Sequence, residues 1–323
     1  MWRIVLVLIM LASPLKAEEL RFIMPVDCTL GEDCFLQQFV DHDPGPGVQD
    51  FSCGLASYNG HKGTDIRISY KDMRAGVNVL APASGRVRAV RDGMPDVVIE
   101  DPATVAGRGC GNAVVVDHGG GWSSQLCHLQ RGSVGVAPGD TLEAGQIVGR
   151  IGLSGNTQFP HLDMTLRKDD KIVDPFAPDL AGGTCGSGLG QPLWASNALV
   201  EEAQNPGRLI ATGIADRAPT FGAVLDGVFD DILPMKQAPI VFWAVVINGR
   251  VGDQLLISAS MPNGLTVKAD PKPLARNQAQ LFRFSGKRPP QTGWPSGVYR
   301  WTAELVRKGR VIDRRTGQVT LNN

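Results

Sequence analysis

No charge of either sign is in excess: 32 basic and 32 acidic residues leave a formal net charge of zero. No basic tract stands out, which argues against nucleic acid as a partner. Beyond the first 17 residues no apolar run is long enough to span a bilayer, so no transmembrane segment is expected in the mature chain. The C-x-x-C spacing of a cysteine-bound structural zinc is missing. No convincing amphipathic helix pattern interrupts residues 61–176. Histidine and cysteine are both absent from residues 205–323. That part carries no obvious chemistry and reads as structural or as a binding surface.

What is present suits an all-β chain. The 323 residues are enough for two domains of ordinary size. The 39 glycines and 22 prolines favour many turns, and the hydrophobic content of 43% is normal for a globular protein. The start, "MWRIVLVLIMLASPLKA", has an Arg near its beginning, an apolar run from Ile4 to Ala12, then small residues and a proline. This predicts a secretory signal peptide, residues 1–17, cut after Ala17, with an uncleaved anchor as the alternative. A periplasmic or extracellular protein is expected. The six cysteines agree with export, because an even count in an oxidising compartment suggests disulfides. Cys28 and Cys34 are close enough to close a small loop. Cys110 and Cys127 flank a hairpin that turns at Gly119–Gly121. Cys53 and Cys185 pair by elimination.

Residues 18–57 are loop-rich, and "DHDPGPGVQD" forbids long regular structure. Asp41, His42, Asp43 and Asp50 read as turn and cap residues, with cation binding as the alternative. From 58 to 204 short strands alternate with turns: "TDIRIS", "NVLAPASGRVRAV", "NAVVVDH", "TLEAGQIVGRIG" and "HLDMTLR". This predicts a compact antiparallel β domain, trailed by a short helix in "LWASNALVEEAQ". From 205 the pattern resets to strands at sandwich-like spacing, and "WPSGVY" looks like the start of a late strand of an immunoglobulin-like β-sandwich.

All five histidines lie before residue 162. "NGHKGTD" reads as a strand, since Gly60 and Gly63 argue against helix, and places His61 and Asp65 on one face of it, with Gly63 leaving room between them and Ile66 and Ile68 facing the core. "LCHLQ" puts His128 at a strand end. "FPHLDMTLR" reads as a strand whose back is Leu162, Met164 and Leu166, and whose front is His161, Asp163, Thr165 and Arg167. Singly each signal is weak. Together they offer what a catalytic zinc needs: three protein ligands, an open position for water, and further histidines to handle its proton.

The blocks "HKGTD", "APASGRVRAV", "GNAVVVDHGGGW", "CHL", "VAPGDTLEAGQIVGRIGLSGN" and "PHLD" resemble, in one order, the lysostaphin-like M23 zinc metallopeptidases. The resemblance covers roughly residues 58–176. It implies that His61 and Asp65 are zinc ligands and that His128 and His161 are catalytic histidines. A tyrosine often found two residues before the first of these is Leu126 here. The third ligand should be the second histidine of H-x-H, and this chain has Asp163 there. A carboxylate is a legitimate zinc ligand, but a second one neutralises the metal's charge and acidifies its water less. His118 falls in a family block and reads as structural.

The resemblance implies an exported zinc metalloendopeptidase that cuts peptide cross-links of bacterial peptidoglycan, with Zn2+ as cofactor and a possible cell-wall or protein partner for the sandwich. The alternative is a catalytically inactive M23-like module that binds cell wall or regulates a wall hydrolase. A biotinyl- or lipoyl-type carrier is suggested by "PGDTLEAGQIVG" but lacks the modified lysine turn.

Overall fold

The "HLDMTLR" alternation becomes a strand with one dry face and one polar face. Leu162, Met164 and Leu166 are buried in the main core, each worth about 1.5–3 kcal/mol of apolar burial. The computed structural model describes residues 20–322 apart from 181–184, 187–188, 205, 231, 233–234 and 269–271. The predicted signal peptide lies outside the described residues.

In the first part the strands are β1 (Cys34–Gln38), β2 (Thr64–Ile68), β3 (Asn78–Leu80), β4 (Gly85–Arg91), β5 (Asn112–Gly119), β6 (Trp122–Leu129), β7 (Thr141–Leu142), β8 (Ile147–Arg150), β9 (His161–Lys168) and β10 (Lys171–Val173). An antiparallel sheet runs β1-β2-β9-β6-β5-β4-β7, with β10 folded back on β9, and β3 pairs separately with β8. The β5–β6 hairpin turns at Gly119–Gly121, as expected, and all three glycines have positive φ. The core lies against the back of this sheet, where Ile66, Ile68, Val114, Val116 and Leu126 meet Phe22, Phe39 and Phe176.

The fold is predominantly but not purely β. Helix α1 (Tyr70–Ala75) stands in the region expected to lack helices. Ser69 caps it by accepting the Asp72 N–H at 3.0 Å, and Gly76 ends it at φ 94°. Helix α2 (Asn197–Ala203) occupies part of the predicted trailing helix. Asp50 and Asp41 act as turn residues: Asp50 accepts the N–H groups of Ser52, Gly54 and Ala56, and Asp41 those of Asp43, Gln49 and Gly60. All three disulfides pair as expected: Cys28–Cys34, Cys53–Cys185 and Cys110–Cys127.

The last part holds β11 (Arg208–Ala215), α3 (Phe221–Leu225), β12 (Ile240–Gly249), β13 (Gln254–Ser260), β14 (Thr266–Lys268), β15 (Gln278–Lys287), β16 (Gly297–Arg307) and β17 (Arg310–Leu321). They form two sheets, β11-β12-β15 and β14-β13-β16-β17. Phe242, Ala244 and Val246 of one pack against Ile257, Ala303 and Leu305 of the other, a sandwich-like arrangement. This part touches the first at β1, at the turn ahead of it and at α1, where Arg74 donates to the Asp226 carbonyl at 2.7 Å. Asn248 Nδ2 donates to the Gln37 carbonyl at 2.6 Å, and Arg315 donates to the Gly31 carbonyl at 2.8 Å. Among the described residues no helix is long and apolar enough to cross a membrane.

Candidate metal centre

Two antiparallel strands bring two carboxylates face to face. Asp65 of β2 and Asp163 of β9 are Cα partners in the register. Like charges placed opposite each other on paired strands repel. His61 completes the group from the extended segment just ahead of β2, not from the strand itself as the sequence suggested. Its Nε2 lies 3.2 Å from Asp65 Oδ1. Ligand atoms of His61, Asp65 and Asp163 lie within 4.8 Å of one another. Cys28, Asp33 and Cys34 also cluster, but their sulfurs are joined in a disulfide and cannot act as thiolates.

The donor set fits a divalent cation. His61 Nε2, Asp65 Oδ1 and Asp163 Oδ1 are all buried without a hydrogen-bond partner among the described residues. An orphaned buried polar atom is costly, and three that converge would be satisfied together by one cation. Gly63 makes the convergence possible, because a β-carbon there would collide with the Asp163 carboxylate. Burial first, and the Asp65 charge second, push the Asp163 carboxyl up to about 7. Burial acts on Asp65 in the same sense, but the imidazoles of His61 and His161 outweigh it and hold Asp65 below the usual range. At His61 the two carboxylates outweigh burial and raise the imidazole. A bound cation would take the place of these protons.

Two more histidines stand beside the cluster. The His128 and His161 ring centroids are 4.6 Å apart, and His161 Nε2 is 3.6 Å from Asp65 Oδ1. His128 Nδ1 contacts the Ser154 carbonyl at 2.8 Å, and His161 Nδ1 the Phe159 carbonyl at 2.9 Å. A carbonyl only accepts, so each Nδ1 carries the proton and each Nε2 keeps its lone pair. Burial pulls His128 down to about 3 and also lowers His161, so both rings are neutral near pH 7. His128 sits at φ 64° near the end of β6, where its N–H donates to the Cys110 carbonyl at 2.8 Å. The Cys110–Cys127 disulfide thus lines the cleft beside it.

His118 lies apart from this group and bonds Ser84 O and Ser124 Oγ, as expected of a structural residue. His42 pairs with Asp174 at 2.8 Å. Sequence reasoning missed Tyr58, whose ring lies 4.3 Å from that of His61 and whose hydroxyl is pushed up by burial and by both carboxylates. No periodicity marks a loop tyrosine. Its only signal is its position three residues ahead of His61.

An antiparallel sheet thus carries three candidate cation donors with two neutral imidazoles beside them. Residues 59–175 match the family model of peptidase family M23. Over 129 residues the chain is 33% identical to an uncharacterized metalloprotease of Haemophilus influenzae, covering 39% of this chain and 22% of that protein. The chain thus spans well under two thirds of the curated relative it matches. Among solved structures, the catalytic domain of the prophage-encoded M23 protein EnpA from Enterococcus faecalis is 22% identical, with 46% of this chain and 92% of that chain covered and a TM-score of 0.32. For the catalytic domain of lysostaphin from Staphylococcus simulans the figures are 21%, 43%, 85% and 0.29. Residues 59–175 thus form an M23-type domain, with the unusual candidate ligand set His61, Asp65 and Asp163.

Proposed function

We propose that residues 58–204 form a zinc metalloendopeptidase domain that cuts peptide cross-links of bacterial peptidoglycan outside the cytoplasm. One observation carries this reading above all: two neutral imidazoles with free Nε2 lone pairs stand beside three orphaned metal donors. Bound by His61, Asp65 and Asp163, zinc would supply Lewis acidity, polarising an amide carbonyl and acidifying water. His161 and His128 do the proton work. Nε2 of one ring accepts the proton of the attacking water and returns it to the leaving amine. The Tyr58 hydroxyl, a donor, orients the amide carbonyl oxygen, and the Nε2 of the neighbouring ring, an acceptor, takes a hydrogen bond from the water. Three disulfides support an oxidising, extracytoplasmic location.

We place the remaining boundaries at 1–17 for a signal peptide, 18–57 for a disulfide-bearing segment and 205–323 for an immunoglobulin-like sandwich open to a protein or cell-wall partner. The division into three and four strands supports that reading of the sandwich. So does the Tyr299 hydroxyl, which donates back to the Pro295 carbonyl at 2.7 Å.

Asp163 favours a second reading, a non-catalytic module that binds cell wall or regulates a wall hydrolase, because two carboxylates neutralise the ion. Metal analysis of the purified protein together with muropeptide digestion decides. Zinc near one per chain with cleaved cross-links supports the hydrolase. A chain that takes up no zinc at micromolar supply leaves the second reading.

A further inference from the structure

We infer that Arg167 forms a subsite for a free carboxylate of the peptide substrate, about two residues away from the bond that is cut; this rests on the peptidase reading. Arg167 shares the front face of β9 with Asp163. Its Cα partner across the ladder is Ser123, yet its NH1 donates to Gln125 Oε1 at 3.1 Å, and Gln125 is the partner of Thr165. The guanidinium therefore leans back along the strand toward the metal donors. Gln125 is held for this contact, because its amide nitrogen points at Cys110 Sγ, 3.0 Å away. Thr165 is two residues from Asp163, about 7 Å along a strand. An extended peptide covers that distance in about two residues.

The surroundings select an anion. The cleft of about 310 Å³ is lined by Lys62 and Arg167, and apart from Asp163 no carboxylate lines it among the described residues. Neither cation has a carboxylate at ion-pair distance among the described residues; the Arg167 charge reaches Asp163 only through space, and Arg167 is half-buried. With one donor on Gln125, the rest of the planar guanidinium is free to take a carboxylate in a two-point contact. A metal centre with two ligand carboxylates is formally neutral, so it does not repel an anion bound nearby.

The test uses two synthetic peptides that differ only in a carboxylate or carboxamide two residues from the scissile amide. The parent protein should favour the carboxylate peptide at least ten-fold in kcat/KM, mainly through KM. Arg167→Gln should bring the ratio to about one, and Arg167→Lys should keep part of it. Circular dichroism and zinc content check each variant. If Arg167→Gln fails to fold, Arg167→Lys against the parent carries the comparison. If the parent cleaves neither peptide, the hydrolase reading falls, and calorimetric binding of both peptides to the zinc-loaded protein still decides the subsite. There, a ten-fold tighter carboxylate peptide that loses its advantage in Arg167→Gln supports it. Equal handling of the two peptides by the parent, or a preference that survives Arg167→Gln, overturns it.

Discussion

The Asp163 carboxylate occupies the space that a side chain at position 63 would need. Gly63 is thus a packing partner of the third metal donor. Gly63→Ala should displace that carboxylate and weaken zinc binding by at least ten-fold in a chelator competition, with a stability loss of about 1–3 kcal/mol from overpacking. In an Asp163→Ala background the same change should cost little more. Unaltered zinc affinity in the single variant would show that the carboxylate contributes nothing to binding.

The ligand and proton-transfer roles separate by substitution. Asp163→Ala should lose zinc as severely as His61→Ala, since two donors remain in either case. His161→Ala should keep zinc, measured by atomic absorption after gel filtration, and lose about 10²–10⁴-fold in turnover. Asp163→His should raise zinc affinity, because the site then carries one carboxylate instead of two. If Asp163→Ala retains zinc like the parent, the carboxylate is a bystander on a polar face.

Acid should strip the metal. The Asp163 carboxyl is pushed up to about 7 and the His61 imidazole is also raised, so both hold protons in the pH range just below neutrality. Zinc must displace those protons, so its affinity should climb steeply from about pH 6 to about pH 8 and its uptake should release protons. In the metal-free chain the sign follows from the raised carboxyl. Its contribution to stability is full below the ordinary carboxylate pKa and disappears as pH rises through about 7. Asp163→Asn should remove that contribution, read from denaturant midpoints at two pH values; a parent and variant with parallel pH profiles would refute it.

Cys127 pairs with Asp163 across the ladder and precedes His128, which is held at φ 64° by the Cys110 carbonyl. Replacing Cys110 and Cys127 by alanine should cost about 2–4 kcal/mol of stability. It should also lower kcat more than it lowers zinc content, because the ligands stay on β2, β9 and the segment just ahead of β2 while His128 loses its brace. Mass spectrometry under non-reducing conditions should find no free thiol in the parent. A double variant with full turnover would detach the disulfide from His128.

The parts of this molecule governed by short-range periodicity were legible in the sequence. The two faces of β9 follow from period-two alternation, and the three disulfides from spacing, a hairpin turn and elimination. His61 was grouped with Asp65 correctly, but it reaches the site from extended chain ahead of β2, because the glycines around it favour a loop over a paired strand. Helix α1 went unseen although Ser69, Asp72 and Gly76 carry its caps: six residues are too few to show a 3.6-residue period. The lean of Arg167 onto Gln125 is a contact between distant segments, and Tyr58, although only three residues from His61, stands in a loop that no periodicity marks. Nor does any pattern fix the order in which the strands of the main sheet lie side by side.

That order has a consequence for when the site comes into existence. β2 is made early and β9 late, and every strand from β3 to β8 lies between them in the chain. The Asp65–Asp163 pairing is among the long-range closures that topology makes slow. A chain in which β9 has not yet docked therefore lacks the third of the three candidate donors. Any ion held by this donor set would be selected only once β9 has docked on β2.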